Sequence, residues 1–190
     1  MFERFTDGSR RAMVLARESA ADLRHDRITT GHLLLGVARA EQGAGFAALA
    51  DEGVTPERLR QAIRGVVPSG GPVSSGHVPF TRAATQAMEY SLQEATGRGA
   101  ELIDNGHILL ALLRRSGDEL PAVLAAAGVD GSALRPAVER RLAELVPAAR
   151  DSPDGPPAGR GQLDRIEALL TELLERTDRI EARLDHPETH

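Results

Sequence analysis

The apolar residues of this chain recur at helical rather than strand spacing. In the first segment Ala12, Val14, Leu15 and Ala16 fall on one side together with Leu23. A denser run follows at Leu33, Leu34, Leu35 and Val37, and a run of the same kind returns at Ile108, Leu109, Leu110 and Leu112. No stretch alternates with period two for long enough to form a half-buried strand, so the pattern predicts an all-α fold.

The polar punctuation between these runs sets the number of helices. Thr6 or Thr81 stands where an N-cap would open a long first helix, and Thr29 or Asp104 stands before the second. A short third helix fits between Gly43 and Gly53, and again between Gly117 and Gly128. Thr55 followed by Pro56 opens a fourth, because proline is favoured in a first helical turn, and Asp130 does so in the other copy.

These pairs already describe a duplication. Displacing the sequence by 75 positions sets Phe5-Thr6 on Phe80-Thr81, Ala12-Met13 on Ala87-Met88 and Ala20 on Ala95. The same displacement sets Ile28, Gly31, His32, Leu34 and Leu35 on Ile103, Gly106, His107, Leu109 and Leu110, and Gly53-Val54 on Gly128-Val129. The expected organisation is a repeat over 1–67, a Gly/Ser/Pro linker over 68–79, a second repeat over 80–146 and a Pro/Gly-rich linker over 147–162.

A different periodicity ends the chain. Leu163, Ile166, Leu170, Leu173, Thr177, Ile180 and Leu184 alternate spacings of three and four, which predicts a heptad helix over 163–185. It serves either self-association, giving a homodimer, or pairing with a partner or with the repeat body, since so short a seam is marginal alone.

Composition narrows the chemistry. There is no cysteine, so disulfides, thiolate metal sites and a cysteine nucleophile are excluded, and a reducing cytoplasm is the expected compartment. All 23 basic residues are arginine, which removes Schiff-base lysines and the lysine of a phosphate-binding loop. A GC-rich codon bias accounts for that absence, as would escape from lysine-directed tagging. The net charge of −5 without a basic stripe argues against nucleic acid, and the charged N-terminal segment is neither a signal peptide nor a membrane span.

The segments MFERFTDGSRRAMVLARESA, TGHLLLG and SGHVPFT, together with the duplication, resemble the N-terminal domain of ClpC-type Clp unfoldases over roughly residues 1–146. The resemblance implies a pseudo-twofold pair of four-helix repeats, without catalytic chemistry, that binds adaptors and substrate peptides for an ATPase ring. The chain is expected to be a stand-alone member, because the heptad segment follows where an ATPase module would begin.

The resemblance also implies sites. In that family a Thr-Glu-His motif at the second helix and a Phe-Thr motif at the first make two pockets for phosphorylated arginine. Thr6 and Thr81 match the threonines, but Gly31 and Gly106 stand where the carboxylates would be, so both pockets are expected to be degenerate. Loss of such a charge-assisted contact costs about 1.5 to 3 kcal/mol, roughly ten- to a hundredfold in affinity. Adaptors and cyclic peptide antibiotics bind the family on a surface that includes the positions of Phe2 and Phe80, which read either as part of such a surface or as core, whereas Phe5 reads as core.

His32 and His107 follow the glycines. They have no second ligand at zinc spacing and no nucleophile beside them, so they read as structural hydrogen-bonding groups, and no metal, cofactor or catalytic residue is expected. Glu18 and Asp22, one helical turn apart, read as surface. The leading expectation is an adaptor, decoy or sequestering protein related to Clp substrate recognition. The alternative is a regulatory scaffold that dimerises through Leu163, Ile166, Leu170, Leu173, Ile180 and Leu184.

Overall fold

Eight α-helices account for the regular structure of the described residues: α1 (Asp7–Asp22), α2 (Thr30–Ala38), α3 (Ala44–Asp51), α4 (Pro56–Val66), α5 (Arg82–Gly97), α6 (Asn105–Leu113), α7 (Leu120–Ala126) and α8 (Gly131–Leu145). The structure is a computed structural model, and it describes residues 4–68, 78–114 and 118–145. The chain divides into two units, Met1–Pro147 and Ala148–His190, and all described residues lie in the first. The expected heptad helix and its linker lie outside the described residues, as does Phe2.

The helix entrances are those the polar residues mark. Thr6 Oγ1 accepts the Ser9 amide at 3.2 Å, Thr81 Oγ1 accepts Ala84 N–H at 3.2 Å and Thr55 Oγ1 accepts Arg58 N–H at 3.4 Å. At the third-helix ends, Gly53 and its displaced mate Gly128 both adopt left-handed φ, +65° and +64°, which stops the helix without a Cβ penalty.

Helices α2 and α6 form the centre. Every residue of α2 is buried, and so is every residue of α6 up to Leu112, so these helices are apolar around their whole circumference, as helices enclosed by others must be. Helix α1 covers α2 and α5 covers α6. The contact between α1 and α2 is close: a Cβ at Gly36 would collide with the Ala12 carbonyl.

The third helices cross over. Helix α3 packs on α6 and α8 of the other repeat, and α7 packs on α4 and α2. Each repeat therefore closes its core with a helix of its neighbour, and the two cores form one contiguous cluster. Two short parallel bridges complete the exchange, pairing Phe5 with Ile103 and Ile28 with Phe80. A 75-residue displacement converts one bridge into the other, so the duplication in sequence is a pseudo-twofold in space.

Candidate ligand-binding site

The two bridges decide which residues share a site. Ile103 N–H donates to Arg4 O at 2.6 Å and Thr6 N–H donates to Ile103 O at 3.1 Å. In the mate, Ile28 N–H donates to Pro79 O at 2.7 Å and Thr81 N–H to Ile28 O at 2.9 Å. Thr6 thus lies beside the entrance of α6, with Gly106 in its first turn, and Thr81 beside the entrance of α2, with Gly31 in its first turn. Each candidate site is composite, taking its threonine from one repeat and its glycine from the other.

At the α2 entrance the structure supplies a carboxylate that no local motif foretells. Glu119, the N-cap residue of α7, accepts Thr30 Oγ1–H at 3.0 Å, and Gly31 N stands 3.5 Å from the same oxygen. Burial opposes ionisation of Glu119, but its own backbone amide, the hydroxyls of Thr29 and Thr30 and the Gly31 amide outweigh it and hold the carboxyl below its ordinary range. An ionised carboxylate at a helix N-terminus is the arrangement the free amides and the macrodipole favour.

The α6 entrance reaches the same end by another route. Asp104 Oδ1 accepts the amides of both Gly106 and Ala44 at 2.8 Å, so one carboxylate caps α6 and α3 together. Asn105 Oδ1 accepts Gly45 N–H at 2.9 Å while its Nδ2 donates to Gln42 O at 2.7 Å. The positive end of each central helix is therefore answered from within the chain.

Both glycines are buried, and their surroundings differ. A Cβ at Gly106 would lie 2.9 Å from Ala44 Cβ and from Leu142 Cδ2, too close without movement of α3 or α8. At Gly31 the nearest atoms would be Ile63 Cγ1 at 3.3 Å, Thr29 Oγ1 at 3.5 Å and Val123 Cγ2 at 3.6 Å, a tight but nearly ordinary contact. At Gly106, glycine is the residue that lets the exchanged α3 approach the central helix.

Behind the α2 entrance lies a buried histidine pair. His32 Nδ1 accepts Thr29 N–H at 3.0 Å, so the ring proton of neutral His32 sits on Nε2, which donates to His25 Nδ1 at 2.8 Å. Burial, and secondarily His25, push His32 down to about 4 against a smaller opposing pull from Glu119. Burial also lowers His25, against Asp26. His107 repeats the first contact, accepting Asp104 N–H at 3.0 Å, and its pKa is lowered chiefly by burial. The histidines are hydrogen-bonding groups of the helix entrances, and among the described residues no three metal-ligating side chains gather.

The symmetry fails at the phenylalanines. Phe5 is 7% exposed and belongs to the core, whereas its mate Phe80 is 36% exposed. No helix among the described residues is long and apolar enough to cross a membrane.

The chain is similar to known proteins over most of its length. Residues 4–120 and 79–168 match the model of the Clp repeat (R) N-terminal domain. The chain is 31% identical over 177 residues to the chaperone protein ClpC2, chloroplastic, of Oryza sativa subsp. japonica, covering 92% of this chain and 19% of that protein. It is 33% identical over 144 residues to the chaperone protein ClpC1, chloroplastic, of Arabidopsis thaliana, covering 76% and 16% respectively. It thus spans about a fifth of the length of the curated relatives it matches. Among solved structures, the N-terminal domain of the Clp-associated chaperone ClpD from Arabidopsis thaliana superposes with a TM-score of 0.65 at 24% identity, over 75% of this chain and 97% of that one. A ClpV N-domain in complex with a VipB peptide superposes with a TM-score of 0.56 at 16% identity, over 74% and 88%. The chain belongs to the Clp repeat N-terminal domain family, whose fold it carries as two interlocked repeats.

Proposed function

We propose that this protein is a non-catalytic peptide- and adaptor-binding module of Clp-type protein quality control, which presents bound segments to a ClpC-type unfoldase or sequesters them from it. The observation that carries the reading is the exposure of Phe80 at a junction where its symmetry mate Phe5 is buried. A large aromatic side chain left at the surface of a chain with 3% aromatic residues is the kind of anchor that binding surfaces use. Family membership, and a neighbouring N-domain solved with a peptide, agree with this reading.

Gly31 and Gly106 stand where the family carries the carboxylates that pair with a guanidinium, so phosphoarginine is a poor ligand here and unphosphorylated segments are the better ones. The test is a fluorescence-polarisation titration of the full chain with labelled β-casein as an unfolded probe. Saturable binding at micromolar concentration, weakened about tenfold by Phe80→Ala, supports the proposal. Absence of saturable binding contradicts it.

A further inference from the structure

The pseudo-twofold lets one half of the molecule serve as a control for the other. Helices α3 and α8 meet along a seam that is closed by an ion-pair latch. Asp51, the last residue of α3, takes a two-pronged contact from Arg141, with Nε at 2.8 Å and Nη2 at 2.7 Å, and Arg140 approaches at 3.6 Å. The mate of this seam lies between α7 and α4. There the 75-residue displacement puts Ala126 in place of Asp51, Val66 in place of Arg141 and Gly65 in place of Arg140.

The latch is absent, and a groove of about 530 Å³ runs along this seam, lined by Arg58, Gly65 and Val66 from α4 and by Ala125, Ala126 and Gly128 from the α7 side. The looser packing extends inward, as the two glycines record: Gly31, on the groove side, has 3.3 Å to its nearest neighbour where Gly106 has 2.9 Å.

Among the described residues the only charged side chain lining the groove is Arg58. Its guanidinium donates to the carbonyls of Ala127 at 2.7 Å and Gly53 at 3.4 Å, and none of the ion pairs among the described residues includes it. A positive end beside small apolar walls suits an occupant that brings the missing carboxylate with short aliphatic side chains.

We infer that the α4/α7 groove is a docking site for a peptide segment that sets small aliphatic side chains against Ala126 and Val66 and a carboxylate on Arg58. This rests on the peptide-binding reading above and assigns it a second surface, away from Phe80.

The probe is an acetylated and amidated hexapeptide of alanine and leucine with one aspartate, titrated into the isotopically labelled full chain and followed by amide chemical shifts. An asparagine analogue is the control. The expected result is saturable shifts at Gln61, Gly65 and Ala125 to Gly128, with Arg58→Gln weakening the aspartate peptide about tenfold and leaving the asparagine analogue unchanged. Rebuilding the latch with Val66→Arg and Ala126→Asp abolishes binding. Gly65→Phe does so without altering the seam, since a Cβ there meets nothing within 4 Å, and it keeps the test valid if the double variant misfolds. Shifts confined to Phe80 and Thr81, with Gly65→Phe neutral, overturn the groove but leave peptide binding standing. No saturable shift with the hexapeptide while β-casein still binds overturns the groove alone, and failure of both probes overturns the groove and the reading beneath it.

Discussion

Glu119 reaches across the repeat boundary to accept the Thr30 hydroxyl at 3.0 Å, so the N-terminus of α7 is tied to the N-terminus of α2. Charge-assisted contacts of this kind are worth about 1.5 to 3 kcal/mol when buried, less where water reaches one partner. Glu119→Ala is expected to lower stability by about 1 to 2 kcal/mol in urea unfolding, and Glu119→Gln, which keeps an acceptor, by less. Equal stability of all three proteins would show that the tie contributes nothing.

The buried histidines give stability a defined pH dependence. His32 titrates at about 4 in the folded chain against 6.5 when free, so the folded state resists the proton that the unfolded state accepts. Its contribution is complete above pH 6.5 and is lost as pH falls from there towards 4, by about 3 kcal/mol at most from that residue. His25 and His107, also lowered by burial, act in the same direction. Denaturant midpoints measured between pH 7.5 and 4 are expected to fall in this window, and His32→Gln is expected to flatten the fall. Glu119, whose pKa is also lowered, has the same sign of linkage at more acid pH: its stabilisation is complete above its ordinary range and is lost as pH falls through that range towards its lowered folded value.

Two glycines separate close packing from open surface. At Gly36 an added methyl meets the Ala12 carbonyl and the Ala16 backbone, so Gly36→Ala is expected to cost about 3 kcal/mol or more in thermal unfolding. At Gly65, where a Cβ meets nothing, Gly65→Ala is expected to gain about 0.5 to 1 kcal/mol from helix propensity. Equal shifts at both sites would contradict the packing described.

Calorimetric titration with phosphoarginine bears on the helix entrances. Binding weaker than micromolar is expected of the wild-type chain, because Gly31 and Gly106 take the places of the two guanidinium-pairing carboxylates. Micromolar binding by the wild-type chain that disappears on changing Thr6 and Thr81 would show that the pockets do without those carboxylates.

Much of the fold is legible in the sequence, because caps and periodicity are local. Thr6, Thr55, Thr81 and Asp104 act on amides two or three residues away, so the residue type announces the contact. The exchange of third helices is not legible, since a 75-residue displacement says that two segments are alike and not which neighbour each packs on. Glu119 escaped for the same reason: 89 positions separate it from Thr30, and no spacing rule connects them. The duplication also implies equality where the structure has none, as between Phe5 and Phe80, or between the Asp51 latch and Ala126. Those departures from symmetry are where the candidate binding surfaces lie.

The central claim, that the repeat body itself recognises peptide, is tested most directly by hydrogen–deuterium exchange on the full chain with and without β-casein. The account predicts slowed exchange at Phe80 and Thr81 and along α4 and α7. Slowing confined to residues 146–190, or none anywhere at saturating β-casein, would contradict it.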